Sequence, residues 1–380
     1  VLSNFALGAA LELDRASRIP LYQQISEQLR RQIAQGLLAD GNFLPPERAL
    51  ATMLGVNRST VVNAYGELAA QGLVEPHVGR GTRVRRPSEL SELEASLRAL
   101  PWPELLLPYT DSVSSRVLRD IVALCSRKDI ISMAAGIPNP EYYPHAEFAA
   151  LFQEIFAEYG GRALDHCPAE GHYPLRQVLA KRLSSQIPGH YKEVAPEEIS
   201  VLSGSQQGLY LMAGALLGPA DLVITENPTF LGALSVFRAF GARIIGVPVD
   251  NQGMRVDLLQ EIIERRRPRL IYTMPTFHNP AGVTLSISRR KQLLSLARAY
   301  RVPILEDDPY RDMYYEPENA PPPSLKALDM AEGGNQVIYL SSFGKNIFPG
   351  MRVGWMAAPS AVIERSVAAK QLMDLHTTSL

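Results

Sequence analysis

The stretch Ser341-Ser342-Phe343-Gly344-Lys345-Asn346-Ile347-Phe348-Pro349-Gly350-Met351-Arg352 decides how the larger part of the chain is read. Immediately before it, Gln336 to Ser341 (QVIYLS) is a short apolar run, the pattern of a buried strand. Lys345 then falls on the loop leaving a strand's C-terminal end, where open α/β sheets place their ligands. A lone lysine is ordinarily a solvated surface charge. Here hydroxyls and an arginine accompany it, a set suited to an amine that captures an aldehyde beside a bound phosphate.

Outward from this stretch, strand-like runs alternate with helical segments. Ile199 to Leu202, Asp221 to Thr225, Arg243 to Val247, Leu270 to Met274, Val302 to Leu305, and Arg352 to Ala357 are each short and apolar. The alternation predicts an α/β domain with a mostly parallel sheet covered on both faces. Polar residues follow the strand ends at one edge of that sheet. Ser205 and Gln206 open a helix whose first N–H groups suit an anion. Phe230 can stack on an aromatic ring. Asn279 and Tyr310 offer hydrogen bonds, Asp307 a carboxylate, Ser342 a hydroxyl and Arg352 a bidentate contact to phosphate. Taken singly, Asp307 and Asn279 read equally as turn residues, and Phe230 as core.

In this order the motifs resemble the class I aminotransferases of fold type I, from about residue 110 to the end. The resemblance implies pyridoxal 5'-phosphate as cofactor. Ser205, Gln206, Ser342 and Arg352 are then expected at its phosphate, Phe230 on the pyridine ring, and Asn279 and Tyr310 at the phenolic oxygen. Asp307 is expected at the ring nitrogen and Lys345 in the Schiff base, which makes Lys345, Asp307 and Tyr310 the catalytic set. Ala135 to Pro140 (AGIPNP) resembles the family's substrate-side segment, and Cys167 to Arg176 its glycine-containing stretch before a helix. Three departures stand out. Gly344 occupies the place of a second phosphate-binding hydroxyl, and His166 that of a tyrosine reaching the partner subunit. The chain also ends at Leu380, before the family's C-terminal small domain and its carboxylate-binding arginine. The expectation is that this small domain is missing, which favours cofactor binding over turnover.

The N-terminal part reads differently. Pro20 to Gly36 opens with proline, closes with glycine and repeats apolar residues every four positions, as an amphipathic helix does. A second helix runs from Leu44-Pro45-Pro46-Glu47-Arg48 to about Leu54, Gly55-Val56-Asn57 is a turn, and a third helix starts at Arg58-Ser59-Thr60. This is helix-turn-helix. Leu73 to Val84 follows as two β-like runs around a glycine-rich tip, a hairpin wing, with Arg80, Arg83, Arg85 and Arg86 at its end. Residues 44–84 resemble the winged helix-turn-helix of GntR-type regulators. Recognition-helix N-termini face base edges. Arg58, Ser59 and Thr60 are therefore candidate DNA contacts, with Asn63 one turn on. The resemblance adds Arg48 at a phosphate and Gly79-Arg80 in the minor groove.

The whole chain sets outer limits. Its 380 residues suit two domains, and its net charge of −1 confines any nucleic-acid affinity to a local patch. Two cysteines, Cys125 and Cys167, make no metal or redox motif and point to a reducing, cytoplasmic setting. No apolar run is long enough for a bilayer. The expected division is a DNA-binding domain over 10–86, a Glu/Ser/Leu-rich and Pro-containing linker over 87–108, and an aminotransferase-like domain over 109–380. The combination resembles the MocR family. That implies a homodimeric transcriptional regulator that binds a double-stranded DNA operator. Its second domain senses pyridoxal phosphate, or an amine or amino-acid effector, by imine exchange at Lys345. The alternative is a working aminotransferase with an accessory DNA-binding head, since His278-Asn279-Pro280 and Asp307-Asp308-Pro309-Tyr310 look close to active enzymes.

Overall fold

The computed structural model describes residues 11–17, 19–77, 81–85, 100, 105, 120–121, 123–125, 127, 129–131, 136, 138–189, 193–347 and 349–379. The chain divides into two compact units, Val1–Leu106 and Leu107–Leu380. Of the linker expected over 87–108, only Leu100 and Leu105 lie within the described residues.

In the first unit, α1 (Leu21–Ala34) buries Ile25, Leu29 and Ile33, the four-residue repeat legible in the sequence. Helix α2 (Glu47–Leu54) stops at Gly55, whose φ of +62° is the left-handed cap that glycine adopts without strain. Helix α3 (Arg58–Ala70) packs Val61, Ala64, Tyr65 and Leu68 onto Leu29 and Leu50 in one core. Strands β1 (Val74–His77) and β2 (Gly81–Val84) pair antiparallel as the wing, and Tyr65 donates to the Pro45 carbonyl at 2.8 Å, tying α3 to the start of α2.

The second unit is an eight-stranded sheet. Its strands are β3 (Ile199–Leu202), β4 (Leu222–Asn227), β5 (Arg243–Asp250), β6 (Gly253–Met254), β7 (Leu270–Thr273), β8 (Ile304–Asp307), β9 (Val337–Ser342) and β10 (Gly354–Ala357). Their spatial order is β3-β10-β9-β8-β7-β4-β5-β6. Strands β9, β8, β7, β4 and β5 are parallel; β10 runs antiparallel between β9 and β3, and the two-residue β6, unforeseen in the sequence, is antiparallel to β5.

Both faces are apolar because both are covered. Val223, Leu270, Tyr272 and Leu305 face a cluster with the helices α4 (Ser205–Leu216) and α5 (Leu231–Ala239). Ile224, Ile271 and Ile304, one residue out of phase, face another with α6 (Leu259–Arg266) and α7 (Ile287–Tyr300). Helix α8 (Ser360–Asp374) adds Ile363 and Val367 to the first cluster.

Two strand limits differ from expectation in a way that matters. β8 ends at Asp307 rather than Leu305, so that carboxylate is the last strand residue and is buried. Arg352, expected as the first residue of the last strand, lies outside β10 at φ +54°, a conformation in which its side chain leaves the strand's alternation.

Leu29→Ala should lower the stability of the first unit by about 2–5 kcal/mol, the cost of an unfilled core site. A denaturant midpoint unchanged from the parent protein would contradict this packing.

Candidate functional site

In the first unit, α3 begins at Arg58 after Asn57, and Arg58, Ser59, Val62 and Asn63 are exposed on its first two turns while Thr60 is half-buried. Arg58 is engaged: its Nε and Nη2 both donate to Glu47 Oε2, at 3.1 and 2.9 Å. Arg48 is exposed on α2. Arg85 pairs with Glu75 at 3.4 Å. Gly79, Arg80 and Arg86 lie outside the described residues.

In the second unit, the sheet brings the expected residues to one edge. Gly354 of β10 pairs with Leu202 of β3 and Ser342 of β9, so the chain just before β10 meets the loops leaving both neighbours. There Arg352 Nη2 donates to the Ser203 carbonyl at 3.3 Å. Gly204, at φ +87°, caps α4, and a Cβ on it would sit 2.5 Å from Arg352 Nη2. Glycine is thus what lets the guanidinium approach the helix N-terminus formed by Ser205 and Gln206. Ser342 Oγ accepts the Gly344 N–H at 3.1 Å and donates to the Val353 carbonyl at 3.4 Å. The helix N-terminus, an arginine and a serine converge as an anion cup.

Lys345 leaves the same edge. Its Nζ is 5.8 Å from the Tyr310 ring centroid, and a Cβ on Gly136 would lie 4.0 Å from it, which places Gly136 beside this amine. Ala135 and Ile137 lie outside the described residues. Burial, and secondarily Arg352, lowers the Lys345 pKa, which raises the fraction of neutral, nucleophilic amine. Tyr310 accepts from Asn279 Nδ2 at 3.4 Å. Phe230 is half-buried beside Gly232, whose carbonyl accepts from Gln206 Nε2 at 3.4 Å.

Asp307 is the most constrained member. Tyr272 donates to its Oδ2 at 3.0 Å, and its Oδ1 is buried with no hydrogen-bond partner among the described residues. Burial pushes its pKa up to about 7, against the Tyr272 bond and with Asp308 adding to the rise. Its sequence neighbours have stronger partners: Glu306 accepts from the Leu325 and Lys326 N–H groups at 2.8 Å, and Asp308 Oδ2 from Arg311 Nε at 2.6 Å, although Asp308 Oδ1 also has no hydrogen-bond partner among the described residues. Nearby, Glu226 is raised to about 7 by burial and takes bonds from Thr273 and the Met274 N–H. His278, 3.9 Å from Glu226, is held neutral by burial at a pKa of about 4, so the contact is no ion pair. An orphaned buried carboxylate oxygen, a depressed lysine and an anion cup on one sheet edge fit a phosphorylated pyridine aldehyde.

His166, at the position where the resemblance puts a tyrosine, meets His376 at 2.6 Å between Nδ1 and Nε2. Sequence reasoning missed Tyr272, Gln207 and Asp374. Tyr272 reads as one apolar residue of β7, and the others meet the site only through tertiary contacts. Among the described residues no cluster could hold a metal, and no helix is long and apolar enough to cross a membrane.

Comparison with known proteins agrees with both halves. Residues 21–84 match the gntR family of bacterial regulatory proteins, and residues 129–379 match aminotransferase class I and II. An uncharacterised HTH-type transcriptional regulator of Bacillus subtilis, YisV, is 36% identical over 366 residues, covering 96% of this chain and 73% of its own length. The chain belongs to the MocR-like regulators. The probable rhizopine catabolism regulatory protein MocR of Rhizobium meliloti is 31% identical over 92% of this chain and 67% of its own. The MocR-like chain is therefore a GntR-type transcriptional regulator with a DNA-binding helix-turn-helix and an aminotransferase-like domain. Its second unit is similar to LysN, an alpha-aminoadipate aminotransferase of Thermus thermophilus solved with N-(5'-phosphopyridoxyl)-L-leucine: TM-score 0.67, 35% identity, 74% of this chain and 68% of that one. That fold typically binds pyridoxal phosphate.

Asp307, Glu226 and Glu306 are all raised to about 7, with burial the leading cause. A carboxyl raised on folding holds its proton more tightly when folded. Its contribution is complete below its ordinary value and is lost as pH rises toward the folded pKa. Glu27 and Asp250, held down to about 2 by arginine partners, act oppositely and finish below about pH 5, and His278, held down to about 4, offsets one of the three carboxyls up to about pH 6.5. The cofactor-free protein should therefore lose thermal stability between about pH 5 and pH 7.5, and Asp307→Asn should flatten part of the loss. A flat profile in the parent protein would contradict the burial argument.

Proposed function

We propose that this regulator binds pyridoxal 5'-phosphate and uses it to sense an amine or amino-acid effector, through exchange of the covalent link at Lys345. Asp307 carries the reading. A buried carboxylate oxygen without a partner suits the protonated nitrogen of a pyridine ring, which would supply the missing hydrogen bond. Bound there, the cofactor supplies an aldehyde and an electron-withdrawing ring. The chain's residues do the rest. Ser205, Gln206, Ser342 and Arg352 hold the phosphate, Phe230 covers the ring, and Asn279 and Tyr310 hold its phenolic oxygen. Lys345 would hold the aldehyde carbon and would be freed when an effector amine takes its place, the proton it gains coming from the effector's ammonium group. That local change of charge biases a two-state regulator. The protein acts as a cytoplasmic homodimer whose two heads, within residues 10–86, grip a two-fold operator. Arg48, Arg58, Ser59, Thr60, Asn63, Gly79 and Arg80 are its DNA contacts. Residues 87–108 link this head to the sensing domain over 109–380.

A second reading, a working aminotransferase, draws support from the 35% identity to LysN. Amino acids mixed with the loaded protein and a keto-acid acceptor separate the two. A stoichiometric spectral shift without accumulating product supports the sensor, and repeated turnover supports the enzyme.

Lys345→Ala should remove the visible absorption of the loaded protein while leaving its circular dichroism intact. A persistent band would assign the cofactor to another lysine. Arg58→Ala should weaken binding to a duplex selected from a random pool by about 1–3 kcal/mol at fixed salt. Glu47→Gln, which frees Arg58 and removes a negative charge, should tighten it. Unchanged gel-shift midpoints in both variants would take Arg58 off the reading surface.

A further inference from the structure

Asp374 is the last residue of α8, the end where a helix's partial negative charge disfavours an acid. One turn earlier Lys370 is fully buried, its Nζ 3.3 Å from Asp374 Oδ1 but outside hydrogen-bond geometry. A buried ammonium without hydrogen bonds is costly, and two locally unfavourable choices one turn apart indicate a compensating role.

That role lies on the other carboxylate oxygen. Asp374 Oδ2 accepts from Gln207 Nε2 at 2.6 Å and from Ser203 Oγ at 3.4 Å. Gln207 Oε1 in turn accepts the Ser203 N–H at 2.8 Å, and the Ser203 carbonyl accepts from Arg352. Gln207 is itself 9% exposed. The turn that opens α4 is therefore gripped at its backbone N–H, its side chain and its carbonyl. One continuous path runs from Lys370 through Asp374 and Gln207 to Ser203 and Arg352.

We infer that Asp374 is a positioning residue for a phosphate ester. Through Gln207 and Ser203 it fixes the N–H groups at the start of α4 and the Arg352 guanidinium. Lys370, 3.3 Å from its other oxygen, holds it in place. Asp374 touches no ligand. Its effect is to hold the donors in the geometry an anion needs, so that binding does not have to order them. The inference rests on the cofactor reading above and assigns α8 a part in it.

The test compares pyridoxal 5'-phosphate with pyridoxal, which lacks the phosphate, by titration calorimetry. Asp374→Ala and Gln207→Leu should each weaken the phosphate ester about tenfold, as loss of a buried hydrogen-bonded link does. Both should leave pyridoxal within about twofold. Asp374→Asn keeps an acceptor for Gln207 and should recover most of the loss. Where Asp374→Ala fails to fold because Lys370 has lost its partner, Asp374→Ala with Lys370→Met carries the same comparison. Equal weakening of both compounds, or no weakening of either, overturns the inference while the cofactor reading stands. Parent protein that binds neither compound overturns the cofactor reading, and the inference with it.

Discussion

The structure of the second unit turns on a dry carboxylate. Asp307 ends β8 at the centre of an eight-stranded sheet, flanked in sequence by two other buried acids. Glu306 is met by backbone N–H groups and stands 4.0 Å from the buried Arg290; Asp308 is met by Arg311. Asp307 receives only a phenol. Burial of a charge without a cation is unfavourable, so the group is driven toward its neutral form until something positive arrives. Folding energy is given up at the site where a cationic ring would recover it.

Strand order makes that constraint useful. Because β10 lies antiparallel between β3 and β9, the start of β10 and the ends of its neighbours coincide. Arg352 and the N-terminus of α4 are thereby brought beside Ser342, while Lys345 leaves the edge on which Asp307 lies. Residues as far apart as Gly136 and Asp374 meet the site at this sheet edge. The left-handed backbone at Arg352 is where this convergence strains the chain, while Gly204 takes its own positive φ without strain.

Much of this was legible in sequence. Short apolar runs gave strands because both sheet faces are covered, so no alternation had to be detected. The helix-turn-helix declared itself through Gly55 and the four-residue spacing of Ile25, Leu29 and Ile33. Site residues could be named because each lies at or just beyond a strand's end. What stayed hidden was the partnering. Tyr272 looks like any apolar strand residue until β8 pairs beside β7 and brings Asp307 within reach of its hydroxyl. Asp374 and Gln207 are separated by 167 positions and meet only once α8 packs on the sheet. The ion pair of Arg58 with Glu47 joins two helices across the turn, a distance no local pattern encodes. Strand limits erred by one to three residues, enough to mistake Asp307 for a loop residue and Arg352 for a strand residue.

The account stands or falls on which amine holds the cofactor. The most direct measurement is to load the protein with pyridoxal 5'-phosphate, reduce it with borohydride, digest it and locate the phosphopyridoxyl group by mass spectrometry. The account predicts stoichiometric labelling of Lys345 alone. Labelling spread over surface lysines, or none at Lys345, would contradict it.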